Sequence, residues 1–191
     1  YLFVDFGSVS SVFFPSSAAW GPTLKTTEFV PALLRALPDQ EIQGRKRLQK
    51  LAYLLKLGGA ELEADFRLSH YGPFSRELAE ATDLLTLGGI VDEIRQPSGV
   101  FQTFVSLYSL VADSGEEKIL EEKAADLARR LDKFTTVVLE VAATIGYLTE
   151  EGMESREALA KTKSMKPTKT TNSVIEQARE SLDIVNGAVA I

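Results

Sequence analysis

Five cations crowd into twelve residues, Arg45, Lys46, Arg47, Lys50 and Lys56, with no carboxylate among them. Leu48, Leu51, Ala52 and Leu55 recur at i, i+3, i+4 and i+7, so the stretch reads as an amphipathic helix with its charge on the outer face. A row of cations on one helix face suits phosphates, because each phosphate neutralised releases condensed counterions. These five residues are therefore candidate nucleic-acid contacts. The competing reading is a solvated face paired with Glu61, Glu63 and Asp65.

A second candidate is the run His70, Tyr71, Gly72, Pro73, Phe74, Ser75, Arg76. Pro73 suits the first position of a helix, and the free amides of such a start attract anions. His70, Tyr71, Gly72, Pro73, Ser75 and Arg76 thus form a candidate pocket, with Arg45 expected near Tyr71. Leu62, Ala64, Phe66, Leu68 and His70 alternate with polar residues, which predicts a half-buried strand or an extended segment with His70 as a hydrogen-bonded core residue. The helix that follows carries Glu77, Glu80 and Asp83 outward. Base reading rests mainly on Arg, Lys, Asn and Gln, so these carboxylates point to a protein partner instead. Lys161, Lys163, Lys166 and Lys169 are expected in a solvated loop.

The chain has 191 residues, 45% hydrophobic and 25% charged, with no cysteine, one histidine and a formal net charge of −6. Disulfide frameworks, thiol nucleophiles and multi-histidine metal sites are excluded. The acidic balance argues against indiscriminate coating of nucleic acid. No spacing supplies a nucleophile and an orienting acid around His70, so no catalytic residue, metal ligand or cofactor is assigned. A small hydrolase or nuclease is the third reading; it requires a divalent ion on two of Glu61, Glu63 and Asp65. No apolar run reaches the roughly 20 residues of a bilayer span, and Asp5 interrupts the only candidate leader.

The elements that position these residues follow from capping and periodicity. Thr26 or Thr27 caps a helix to about Leu37, the basic helix ends at Gly58-Gly59, and a third helix ends at Gly88-Gly89. Strands over Ile90–Ile94 and Val100–Leu110 are joined by a turn at Gln96-Pro97-Ser98-Gly99. Ser114 with Glu117 caps a helix to about Lys133, followed by the apolar helix Thr136–Leu148 and helices capped at Ser155 and Ser173, the last ended by Gly187. This predicts an α+β, mainly helical protein. Residues 1–22 are an appendage, 23–115 a winged-helix-like core with a β-hairpin wing, and 116–191 a C-terminal helical layer packed on the core. The apolar circumference of Thr136–Leu148 is expected in that core, with a homodimer through the C-terminal helices as the alternative.

Gly44-Arg45-Lys46-Arg47-Leu48-Gln49-Lys50-Leu51, followed some twenty residues later by His70-Tyr71-Gly72-Pro73-Phe74-Ser75-Arg76-Glu77-Leu78, resembles the YwgA-like family of uncharacterised bacterial and archaeal proteins. A more distant likeness is to Panacea-type phage-associated proteins, some of which act as antitoxins. The segment from Tyr108 to Gly115 is similar to the close of many winged helices, with Val111 where Thr is usual. The resemblance covers about Thr23 to Gly115. It implies a prokaryotic, cytoplasmic, non-enzymatic regulatory or interaction module, with duplex DNA or a protein as partner and no membrane. The alternative it carries is a protein-binding antitoxin or phage-defence component using the acidic helix.

Overall fold

In the computed structural model, which describes residues 20–98, 103–111 and 118–189, the chain runs β1 (Trp20–Lys25), α1 (Thr26–Ala36), β2 (Glu41–Gln43), α2 (Arg45–Leu57), β3 (Ala60–Glu63), β4 (Arg67–Ser69), β5 (Gly72–Phe74), α3 (Arg76–Leu87), β6 (Val91–Ser98), β7 (Thr103–Leu110), α4 (Glu122–Leu131), α5 (Thr136–Glu150), α6 (Ser155–Met165) and α7 (Asn172–Val189). It is an α+β, mainly helical protein with three small sheets among the described residues. β1 pairs in parallel with β3, β4 pairs antiparallel with β5, and β2 joins the β6–β7 hairpin through β7. No helix of the described residues is long and apolar enough to cross a membrane.

α2 is the hub. It packs against α3, α4, α5, α7 and strands β2, β3 and β5, and it buries Leu48, Gln49, Lys50, Leu51, Ala52, Tyr53, Leu54, Leu55 and Leu57. The face expected to meet solvent is partly covered by the C-terminal helices: Lys50 is buried and Arg47 half-buried, while Lys46 and Lys56 stay exposed. α5 lies behind it and is buried on most sides by α2, α6, α7 and β5 of the same chain. Those neighbours cover the apolar circumference within the chain, as expected of a core helix. Gly146 of α5 permits the crossing, since a Cβ there meets Leu57 Cδ2 at 2.7 Å.

Several boundaries differ from expectation for identifiable reasons. The strand or extended segment foreseen over Leu62–His70 breaks into β3 and β4, and β3 turns to β1 while β4 turns to β5. Pro73 lies in β5 and not at a helix start; α3 begins at Arg76, capped by Ser75, whose Oγ accepts the Leu78 N–H at 3.2 Å. α1 is capped without Thr26 or Thr27, because Glu28 reaches back to the Lys25 N–H at 3.1 Å. Pro97 pairs with Phe104 inside the hairpin, so Gln96-Pro97-Ser98 is strand, and residues 99–102 lie outside the described residues. The Ser114–Glu117 capping box also lies outside them, and α4 starts at Glu122. α6 is capped at Glu154 and not Ser155. α7 starts at Asn172 and runs through Gly187 to Val189, where packing on α5 outweighs the glycine. Trp20–Lys25 is a paired strand, so the residues expected as an appendage join the fold from Trp20 onward.

Candidate functional site

The two motifs that carry the resemblance meet in space. Gln49 of α2 holds Ser75 by a two-way amide pair: Gln49 Nε2 donates to Ser75 O at 2.9 Å and Ser75 N donates to Gln49 Oε1 at 2.8 Å. Lys50, one residue on, is 1% exposed and donates from Nζ to Pro73 O at 2.6 Å. Lys46, one turn back, places its Nζ 3.5 Å from the Tyr71 ring centroid. The helix thus holds the β4–β5 hairpin and the start of α3 with three polar side chains, Lys46, Gln49 and Lys50, and a spacing of one turn brings Lys46 and Lys50 to the same side.

Beneath the hairpin lies Glu140 of α5, 2% exposed. Lys166 Nζ donates to Glu140 Oε1 at 2.7 Å and to His70 O at 2.8 Å. Lys169 Nζ donates to both carboxylate oxygens, at 2.8 and 2.7 Å, and lies 5.2 Å from the Tyr71 ring centroid. Burial works against ionised Glu140, but the hydrogen bonds and charges of Lys166 and Lys169 outweigh it and hold the carboxyl below its ordinary range. Burial pushes the Lys50 ammonium down to about 8; Glu140 opposes this, and the positive charges of Lys166, Lys46 and Lys169 add to it. Gly72 makes the close approach possible. Its φ is +85° and a Cβ there falls 2.7 Å from Thr144 Oγ1.

The five cations of the basic run do not form an open face. Arg45 pairs with Asp83 of α3 at 2.6 Å and donates to Tyr108 OH at 3.2 Å, and that hydroxyl donates to Glu93 Oε1 at 3.1 Å. Arg47 grips the α4–α5 turn, through Asp132 Oδ1 at 2.7 Å, the Asp132 carbonyl, and Phe134 O at 2.8 Å. Lys56 closes on Ala64 O at 2.6 Å and Leu62 O at 3.3 Å. Lys50 is inside. Their partners are Asp83, Asp132 and backbone carbonyls rather than the expected Glu61, Glu63 and Asp65. An amphipathic pattern locates charge on a helix, but a second helical layer decides whether that side meets water.

The candidate pocket also resolves differently. The start of α3 is occupied by the chain itself: the Glu77 carboxyl is held low by its own backbone N–H and by Ser75 Oγ, which donates to it at 2.8 Å. Arg76 points outward to Glu80 at 2.8 Å. His70 is exposed in the turn, edge-on to Tyr71 at 4.9 Å between ring centroids; only its carbonyl ties the hairpin inward. Arg45 lies with Tyr108 and not with Tyr71. Lys166 and Lys169 are no solvated loop, since Glu140 fixes both, while Lys161 and Lys163 are exposed on α6. Among the described residues no three His, Asp or Glu side chains gather as a metal site would need.

Sequence reasoning missed Glu140, Gln49, Lys166 and Lys169 as parts of one site. A signal existed for Glu140, the single charged residue in an otherwise apolar helix from Thr136 to Leu148. A carboxylate buried in that setting demands a cation. Nothing local says which cation.

The fold and this two-motif junction define a small α+β protein built around an α2–hairpin–α5 core. The chain is 28% identical over 159 residues to the uncharacterized protein YwgA of Bacillus subtilis (strain 168), a match covering 79% of this chain and 92% of that protein. The resemblance to a YwgA-like family drawn from the paired motifs is thereby borne out over most of the chain. No family model matches the chain, and no solved structure does.

Proposed function

We propose that the chain is a non-enzymatic interaction module of winged-helix type whose third helix meets a protein. The winged-helix reading is supported by the order α1, β2, α2, α3, β6, β7, with β3, β4 and β5 inserted between α2 and α3 and β2 joined to the hairpin through β7. The observation that carries the protein reading is the outer stripe of α3. Glu80, Asp83, Leu84 and Leu87 share one side at helical spacing, with Leu84 62% and Leu87 85% exposed, and Glu77 is exposed beside them. Phe104 is exposed on the sheet face that also bears Tyr108, the face turned to α2. The exposed leucines suit an apolar partner segment, and the carboxylate beside them already paired across helices is Asp83, with Glu80 paired to Arg76 on its own helix. Four of the five cations of α2 are meanwhile committed to Asp83, Asp132 and backbone carbonyls, which weakens the duplex reading.

The test compares wild type with a Glu80→Lys/Leu87→Asp variant, both residues being exposed. A partner retained by wild type in high salt and lost by this variant supports the proposal. An unchanged set of partners overturns it. Salt-sensitive binding of wild type to duplex DNA at about 50 mM salt, lost on Lys46→Glu, supports the regulatory DNA-binding alternative instead.

A further inference from the structure

Lys46, Lys50, Lys166 and Lys169 come from two distant parts of the sequence and converge beneath and beside the β4–β5 hairpin. One carboxylate, Glu140, bonds Lys166 and Lys169 and acts at longer range on Lys50. It is fully engaged, since Lys166 and Lys169 take both of its oxygens. The hydrogen bond that Lys50 Nζ makes among the described residues goes to Pro73 O, a neutral acceptor. Among the described residues the contact of Lys46 Nζ is with the ring of Tyr71. Buried and half-buried charges are ordinarily matched, and this group carries a surplus of more than one positive charge. The surplus is reachable: Tyr71 is 44% exposed, Lys46 is exposed, and about a third of the Lys169 side chain meets solvent.

We propose that the Lys46–Tyr71–Lys169 rim, backed by Lys50 and Lys166, binds a small phosphate-bearing anion. A dianionic phosphate matches a surplus greater than one charge, which a single carboxylate does not. Its oxygens replace the aromatic face as the partner of Lys46 and give Lys169 an acceptor beyond the two oxygens of Glu140. The start of α3 is not the site, since Ser75 and Glu77 already fill it. The ring of Tyr71 beside the phosphate offers a stacking surface to a nucleoside phosphate, while inorganic phosphate uses the lysines alone.

Binding also moves a proton. Lys50 is faced by Glu140 from α5, by Lys46 of its own helix, and by Lys166 and Lys169 from the end of α6 and the turn after it. An added anion draws its pKa back up from about 8, so the protein takes up a fraction of a proton at pH 8.

The experiment is calorimetric titration of the whole chain with inorganic phosphate and, separately, with adenosine monophosphate, in low-salt buffers of two different ionisation enthalpies. Saturable binding to wild type is expected, about tenfold weaker in Lys46→Met and lost in Lys46→Glu. Lys163→Glu, an exposed α6 change outside the cluster, leaves the affinity intact. Heats that differ between the buffers at pH 8 read the proton uptake. Tighter binding of the nucleotide, lost in Tyr71→Ala, assigns the ligand as a nucleoside phosphate; equal affinities assign phosphate alone. Absence of saturable binding by either ligand, or equal affinity in wild type and Lys46→Glu, overturns the proposal. Lys46 is exposed and makes no bond to the fold beyond the Tyr71 ring, so loss of folding does not cloud the result.

Discussion

Glu140→Gln is the change that tests the interior most directly. The carboxylate accepts from Lys166 at 2.7 Å and from Lys169 at 2.8 and 2.7 Å, so the variant removes the counter-charge of two ammonium groups while keeping nearly the same shape. Their costs differ. Lys166 is buried with its carboxylate, both side chains being 3% exposed, and in the variant it keeps only neutral acceptors, His70 O and the glutamine carbonyl. Lys169, about a third exposed, turns to water and loses little. Removing one member of a buried pair costs about 3–5 kcal/mol, and the escape of Lys169 argues for the lower part, about 3–4 kcal/mol. The folded carboxyl titrates below its ordinary value of 4.5. Its stabilisation is therefore complete above that value and vanishes as pH falls through the lower folded one. Urea unfolding followed by far-ultraviolet circular dichroism reads both points. The expected result is a gap of about 3–4 kcal/mol at pH 7 that closes in acid, where the wild-type carboxyl is itself neutral. A gap below about 1 kcal/mol at pH 7, or one equally wide at every pH, refutes the reasoning.

Gln49→Ala leaves the buried Ser75 N–H without its acceptor, while Ser75 O keeps the Ala79 N–H; the expected cost is about 1–3 kcal/mol, with faster hydrogen exchange at the Ser75 amide as the local signature. Gly72→Ala combines a left-handed backbone with a Cβ 2.7 Å from Thr144 Oγ1, for about 2–4 kcal/mol in chemical denaturation. Adding Thr144→Ala restores part of that and not all, because it removes the clash and leaves the backbone strain. Arg47→Ala frees the α4–α5 turn at a cost of about 2–3 kcal/mol, and Arg47→Lys restores little, since one ammonium cannot span the Asp132 and Phe134 acceptors together; thermal unfolding of the three proteins decides it.

The legible part of this molecule was local. Leu48, Leu51, Ala52 and Leu55 marked α2, the gly-gly ends marked where α2 and α3 stop, and the run Val137 to Leu148 marked α5, because periodicity and capping act over a few residues. The outward direction of Glu77, Glu80 and Asp83 also followed from spacing alone. The split of Leu62–His70 into β3 and β4 did not, since alternation signals an extended chain and says nothing of which strand it pairs with.

Short-range pattern thus supplied the inventory: helices, hairpin, an acidic α3, and two motifs worth pairing. The fate of the charges was set by long-range packing. Lys50 reads as a surface cation until α5 and the hairpin close over α2, and Glu140 reads as an oddity until Lys166 and Lys169 arrive from beyond α6. The reason is one of range. Helix periodicity assigns a side chain to a face within one turn, whereas desolvation depends on every element that later covers that face, and partners for a buried charge come from wherever the chain returns.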